Sequence, residues 1–314
     1  MSTGPHIRFL RRQEIDISRW DDCISRSPNG WIFLRSFFLD AWGPWDALVA
    51  GSPDNDEEYA FVMPLPKKRK YGLTYTHIPP LPGQLGIAGI LPVTATLVDD
   101  FLRGIPPSFK LVDTILNEQD PAPTLPGITI TPRTNYVLNL SAPYPVLYAG
   151  YNGDAKKNLR QAYAKGLTAD SDIPVDTVIG LYRAAYGELH KALSAKEYEK
   201  IARLFDHCIA KGLGFTLGIR DPRRNLHAAA FFALDEKRIY YLLGAPGADG
   251  RRYNAVHCLI DQVLKKYAPS GLELDFEGSD IPSVAAFYRK FNPRAQSYYQ
   301  VKFNRFPNWM QRFL

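Results

Sequence analysis

Apolar and polar positions are patterned most clearly between His227 and Phe306, where they predict strand, strand, loop, helix, strand, helix, strand. The run His227–Leu234 is continuous and apolar, as a strand buried on both faces must be, and Arg238–Leu243 follows across the charged turn Asp235–Lys237 to make a hairpin. A loop of small residues, Gly244–Gly250, opens onto Arg251–Lys266, where Val256, Leu259, Ile260, Val263 and Leu264 recur at helical spacing. Leu272–Glu277 alternates strictly: Leu272, Leu274 and Phe276 take one face, and Glu273, Asp275 and Glu277 the other. Gly278–Pro282 supplies a turn with Ser279 or Asp280 as cap. Ser283–Phe291 reads as a helix stopped at Asn292-Pro293, and Ser297–Phe303 closes the series as a strand.

The same mixture of periods fills the rest of the chain. Helices are expected at Ile15–Ile24, Phe33–Trp42 and Thr94–Leu102, and strands at Asp46–Ala50, Glu58–Leu65, Leu73–Ile78, Phe109–Leu116, Gly127–Ile130 and Tyr136–Leu140. After the proline-rich Ser141–Pro145 come a basic helix, Asp154–Lys165, capped by Asp154 and Gly166, then helices Asp176–Lys191 and Ser194–Lys211 and a strand Phe215–Ile219. Proline-rich stretches mark domain boundaries, so two α/β domains of similar size are expected, 1–143 and 144–314, with the closing residues able to pack on the first.

With 314 residues, 46% hydrophobic and 13% aromatic, the chain can fill one large or two ordinary cores, which excludes a disordered protein. No stretch approaches the roughly 20 apolar residues of a membrane span. Met1–Arg12 lacks the apolar core of a signal peptide, so a cytoplasmic location is expected. Three cysteines without C-x-x-C spacing give neither a disulfide framework nor a zinc site, and six histidines without H-x-x-x-H or H-E-x-x-H argue against a metal-dependent hydrolase. No metal is expected. A net charge of +6 suits an anionic ligand such as a nucleotide, a phosphate-bearing sugar or tRNA, without demanding nucleic acid.

Where the small-residue loop meets its helix, at Gly250, Arg251, Arg252 and Asn254, free N–H groups and the helix dipole favour a phosphate. Asp275 and Glu277 share a face at a strand end, so either can raise the other's proton affinity and serve as base, directly or through water; the same alternation also describes a solvent-facing edge. Lys156 and Arg160 are like charges at i, i+4, and with Lys157 they point either to an anion nearby or to a solvated helix face. Lys67–Lys70 reads as a wet turn between strands or, with Lys68 in it, as a contact to acceptor phosphates.

The C-terminal order of elements resembles the GNAT acyltransferase fold, and Ala285–Asn292 resembles that family's A-x-x-(L/F)-Y-x-K-x-G motif, with Asn292 where glycine is usual. By this resemblance Tyr288 is the general acid toward the leaving thiolate of coenzyme A. A wider resemblance covers nearly the whole chain. Val62–Lys68 and Pro79–Gly86 are similar to the PLP-x-K and PP-x-x-Q-x-LG segments of FemABX-like and BioF2-like proteins, and Arg133–Leu140 to their R-x-T-Y-x-L-D-L strand. Asn158–Gly166 resembles their (N/R)-x-R-x-A-x-K-x-G helix, while Asp275–Gly278 and Phe287–Asn292 resemble (D/N)-F-x-G and F-K-x-x-F-G.

Those proteins carry two GNAT-type domains in tandem. The resemblance implies an α/β fold of two GNAT-like domains, each a mixed central sheet flanked by helices. It also implies an N-acyltransferase or aminoacyltransferase that carries an acyl group from acyl-CoA or aminoacyl-tRNA to an amine. The acceptor, a small molecule or a cell-envelope precursor, would lie between the domains, with Gln84 in a cleft-lining loop. Three departures bear on this. The helical hairpin that some FemABX members insert has no room here, and Tyr288 replaces the lysine of F-K-x-x-F-G; both weigh against tRNA-dependent synthesis of peptidoglycan precursors. Asn254 stands where the diphosphate motif (Q/R)-x-x-G-x-(G/A) has glycine, which weighs against coenzyme A. A GNAT-fold binding module without catalysis is the remaining reading.

Overall fold

The computed structural model describes residues 5–52, 58–81, 83–187, 193–278 and 280–306. The chain divides into two units, Met1–Arg133 with Ser297–Leu314, and Thr134–Gln296. Ser141–Pro145 therefore lies inside the second unit rather than at its edge.

In the first unit, β1 (Ile7–Leu10) pairs antiparallel with β2 (Trp45–Ala50), and β2 with β3 (Phe61–Lys70). The short β5 (Ala88–Gly89) also joins β3. Every residue of β2 is buried, which is why its sequence shows no alternation. The far half of β3 changes partner: Lys67–Lys70 pairs with β4 (Leu73–Thr76), so the basic run expected as a wet turn is strand. β4 runs parallel to β6 (Phe109–Ile115), and β6 pairs antiparallel with Gln300–Asn304 of β13 (Arg294–Asn304). α1 (Ile17–Arg26) is capped by Asp16, which accepts from the Arg19 amide at 3.1 Å, and it buries Trp20, Cys23 and Ile24 at the i, i+3, i+4 spacing of one face. α2 (Ser36–Trp42) and α3 (Ala95–Gly104) complete the unit. α3 presents Leu97, Val98, Phe101 and Leu102 to a core shared with Leu48, Met63 and Val112.

In the second unit, β7 (Thr129–Asn139) absorbs both strands expected between Gly127 and Leu140, and its end pairs antiparallel with β12 (Glu273–Asp275). Next to β12 runs β11 (Arg238–Pro246) in parallel, followed by antiparallel β10 (Leu226–Leu234), β9 (Gly214–Arg220) and β8 (Thr168–Asp170). Successive residues of β10 face opposite ways. Phe231 stacks on Phe205 of α7 (Ala195–Ala210) at 3.7 Å, while Phe232 joins the core formed with α5 (Gly153–Ala164) and α8 (Ala255–Tyr267). α6 (Val175–Tyr186) packs on β10 and β11. The helix expected over Asp176–Lys191 is described only to its end at Tyr186, because residues 188–192 lie outside the described set.

Two caps differ from expectation. α5 is capped by Asn152, whose side chain accepts from the Ala155 amide at 2.8 Å, while Asp154 sits in the first turn 3.8 Å from the Lys290 ammonium. At α9 (Pro282–Tyr288) the N-cap is Ile281, with no side-chain cap, and Ser279 lies outside the described residues. Asn292 does take the left-handed conformation, φ 60°, that ends the turn after α9.

Candidate active site

β12 is half as long as its alternating sequence suggests. Glu277 and Gly278 turn the chain away with φ 59° and 61°. At Gly278 a Cβ would lie 2.5 Å from the Thr134 carbonyl oxygen, so glycine alone fits there. In consequence β11 pairs with β12 only through Arg238, Ile239 and Tyr240, and runs on without it to Pro246. Just past this point the β10–β11 register slips between Phe231 and Phe232, which leaves Leu242 as a bulge. Strand ends and bulges of this kind re-aim side chains at a cleft.

Asp275 is in register with Tyr240 on one side and Val137 on the other, and the Phe276 amide donates to the Tyr136 carbonyl at 3.0 Å. One residue further on, Tyr136, Phe276 and Tyr241 form a row on the opposite face. Tyr288 of α9 lies over this row, its ring centroid 4.8 Å from that of Phe276 and 6.3 Å from those of Tyr136 and Tyr241. The hydroxyls of Tyr136, Tyr241 and Tyr288 have no hydrogen-bond partner among the described residues. Burial, reinforced by nearby Tyr186, Glu277, Tyr182 and Asp275, holds the Tyr288 phenol well above its ordinary range, so it carries its proton at neutral pH.

The expected carboxylate pair is not assembled. Asp275 is 1% exposed; its Oδ2 accepts from Arg238 at 2.9 Å and from Asn135 at 3.2 Å, and its Oδ1 from the Glu277 amide at 2.8 Å. Arg238, also buried, donates through Nε to Glu273 at 3.0 Å. This ion-paired, fully bonded carboxylate is spent on structure, and the solvent-facing edge is equally excluded. Glu277 is half-buried, lies beyond the end of β12 and, like Asp275, acts electrostatically on Tyr288.

The loop before α8 is bonded mainly to itself. The amides of Gly250, Tyr253, Asn254 and Ala255 donate to the carbonyls of Gly247, Asp249, Arg251 and Gly250. Asn254 takes φ 56° and its side-chain amide donates to Gln161 at 3.1 Å. Gly250 has no room for a side chain, since its Cβ would lie 2.0 Å from the His227 carbonyl oxygen. The amides of Arg251, Arg252 and Val256 donate to no described group. Beside them the loop offers an anion the exposed side chains of Arg251 and Arg252, neither of them hydrogen-bonded to a described side chain.

On α5, Lys157 and Arg160 are exposed and free of hydrogen bonds to described side chains. Lys156 is not available: its ammonium donates to the Ala149 carbonyl at 2.7 Å. In the first unit, Lys68 is exposed on β3, whereas Gln84 is buried and occupied at both ends, donating to Glu118 Oε2 at 3.0 Å and accepting from the Glu118 amide at 2.5 Å. Gln84 thus ties two loops together instead of presenting an amide to a ligand.

Pattern reading missed Tyr136, Tyr241 and Arg238, because only strand register brings them to one place. It also missed His257 on α8. This imidazole is half-buried beside Phe287, with Nε2 3.1 Å from Asn158 Nδ2, and burial with the Lys290 charge pushes it down to about 4. Asp261 is fully buried and accepts from the hydroxyls of Tyr144 at 2.9 Å, Tyr151 at 3.2 Å and Tyr163, with Lys265 at 2.9 Å. It pins α4 (Tyr144–Gly150) and α5 to α8.

β10, β11, α8, β12, α9 and β13 follow one another in the order that the resemblance to the GNAT fold implies. The chain carries two GNAT-like domains in tandem. It is similar to FemX at 12% identity with a TM-score of 0.67, over 93% of this chain and 96% of that one. It is similar to the C-terminal domain of a putative lysylphosphatidylglycerol synthetase from Agrobacterium fabrum at 14% identity with a TM-score of 0.55, over 92% of each. A tandem GNAT protein from the clavulanic acid biosynthesis pathway matches at 10% identity with a TM-score of 0.51, over 96% of this chain and 100% of that one. At these identities the likeness is one of fold. No protein-family model and no curated protein sequence matches the chain.

Proposed function

We propose that the chain transfers an acyl or aminoacyl group to an amine, with the reaction taking place where β11 and β12 part. The observation that carries this reading is the Tyr288 hydroxyl, protonated and unpartnered at the splay. The amine nitrogen attacks the acyl carbonyl, a C–N bond forms, and the bond to the leaving sulfur or oxygen breaks as Tyr288 delivers its proton to that atom. Glu277 accepts the amine proton, directly or through water. Tyr136 and Tyr241 supply unspent donors for the carbonyl oxygen as negative charge develops there. The likeness in fold to FemX and to the tandem GNAT protein supports a transferase.

Arg251, Arg252, Lys157 and Arg160 are the groups available for the phosphates of the donor, coenzyme A or tRNA. A phenol held above its ordinary range matches an alkoxide leaving group better than a thiolate, which favours an ester donor such as aminoacyl-tRNA. The acceptor would be an amine on a small molecule or a cell-envelope precursor.

The test is calorimetric titration at low salt with acetyl-CoA, longer acyl-CoAs and aminoacyl-tRNA, followed by turnover with an amine panel. Tyr288→Phe should bind the donor as the wild-type chain does and lose about 10²-fold or more in turnover. Saturable binding of neither donor class would refute the reading. Full turnover by Tyr288→Phe would remove Tyr288 from it.

A further inference from the structure

The β3–β4 hairpin carries an arrangement that the acyl-transfer reading does not use. Beyond Pro66 the β3 strand continues as Lys67-Lys-Arg-Lys70, paired with β4 from Lys67↔Thr76 to Lys70↔Leu73. Lys67 is neutralised by Asp46 at 2.5 Å. Lys68, Arg69 and Lys70 are exposed, and none has an acidic partner among the described residues. The two turn residues are Tyr71 and Gly72, with φ 51° and 78°. Two-residue hairpins need this left-handed pair, for which Asn-Gly is the usual choice; a bulky residue there is strained. Tyr71 is nevertheless 89% exposed, and the Lys70 ammonium, 5.2 Å from its ring centroid, is its one ring partner among the described residues. Nothing in the fold accounts for an aromatic at that apex.

We propose that this hairpin tip contacts an anionic lipid surface. The order of groups matches the depth profile of a headgroup layer. An amphipathic ring stands at the apex, and three cations follow on the stem within about 10 Å of it at about 3.3 Å per residue. A nucleic-acid strand would instead need the ring face and the cations side by side along a groove, and here Lys70 already covers one ring face. Each cation close to an anionic bilayer is worth about a fivefold gain in partitioning, so the three together give about a 10²-fold preference over a neutral bilayer, erased by high salt.

The experiment is co-flotation of the full chain with vesicles of phosphatidylcholine alone or mixed with phosphatidylglycerol. The wild-type chain should partition about 10²-fold better onto the mixed vesicles. K68Q/R69Q/K70Q should lose most of that preference, and Y71A should lose several-fold on both compositions. A control with the same loss of charge on α7 and its cap, K196Q/R203Q/K211Q, should keep the preference, and circular dichroism should show each variant folded. Equal loss in the control would reduce the effect to net charge and overturn the proposal. So would a hairpin variant that floats like the wild-type chain, or a hairpin that binds single-stranded RNA while the chain ignores vesicles.

Discussion

An Asp120→Asn substitution is expected to remove a pH dependence that burial imposes on the first unit. Asp120 is 4% exposed; its Oδ2 accepts from the amides of Ile87 at 3.0 Å and Asn117 at 2.9 Å, while its Oδ1 is buried without a partner. Burial outweighs the two bonds and lifts the carboxyl from 3.8 to about 7. Between those values the native chain holds a proton that the unfolded chain has released. Stability is therefore greatest below the lower value and falls as pH rises toward the upper one. At about 1.4 kcal/mol per pH unit the window is worth up to about 4 kcal/mol. Asparagine keeps an oxygen for the two amides and places an unpaired N–H where Oδ1 lay, at a fixed cost of about 1–3 kcal/mol that does not vary with pH. Trp20, Trp31, Trp42 and Trp45 are all buried in the first unit, so tryptophan fluorescence during urea unfolding reports on it. The stability of Asp120→Asn relative to the wild-type chain should rise by up to about 4 kcal/mol from pH 4 to pH 8. A difference that stays flat across this range, or falls, would refute the assignment of the proton to Asp120.

Other consequences follow from buried groups of both units. Arg238→Met strands Asp275 without its cation and leaves Glu273 only Arg294 at 3.6 Å, and should cost about 3–5 kcal/mol, read from thermal unfolding; a cost below about 1 kcal/mol would mean that water reaches Asp275. His257, pushed down to about 4 from 6.5, should show no ring titration by NMR above about pH 5, and its contribution to stability should be lost as pH falls from about 6.5 toward 4. Asp261→Ala leaves three tyrosine hydroxyls without their acceptor and Lys265 without its carboxylate, and hydrogen exchange should speed up first in α4 and α5; uniform exchange would refute its role as a pin. Gly86→Ala places a methyl 2.0 Å from Asp120 Oδ2 and 2.1 Å from the Asn117 amide, and should destabilise the first unit by more than about 3 kcal/mol in the same fluorescence assay.

Periodicity located nearly all the long elements, because a strand with one buried face and a helix with one buried stripe each write their period into the chain. The buried run of β10, the hairpin into β11 and the stop at Asn292 are legible in that way. Short edge strands such as β1 and β8 were missed: four and three residues carry too few alternations to stand out. The basic run after Pro66 reads as a turn in sequence because polar residues at the end of a hairpin look alike whether paired or not. Tyr288 and Glu277 were candidates from pattern and resemblance, while Asp275 and Gln84 are committed to partners distant in sequence and Lys156 to the Ala149 carbonyl one helix earlier.

What the sequence by itself determined is the order and type of elements, since each depends on residues within a few positions of one another. The tertiary structure alone decided which polar groups are spent and which are free, because that depends on partners supplied by other strands and helices. Asp275, locked by Arg238 and Asn135, is spent, whereas the exposed Lys157 and Arg160 of α5 have no hydrogen bond to a described side chain. Tyr136, Tyr241 and Tyr288 come from three separate elements and Phe276 from the loop after β12, and strand register together with the early end of β12 makes them neighbours.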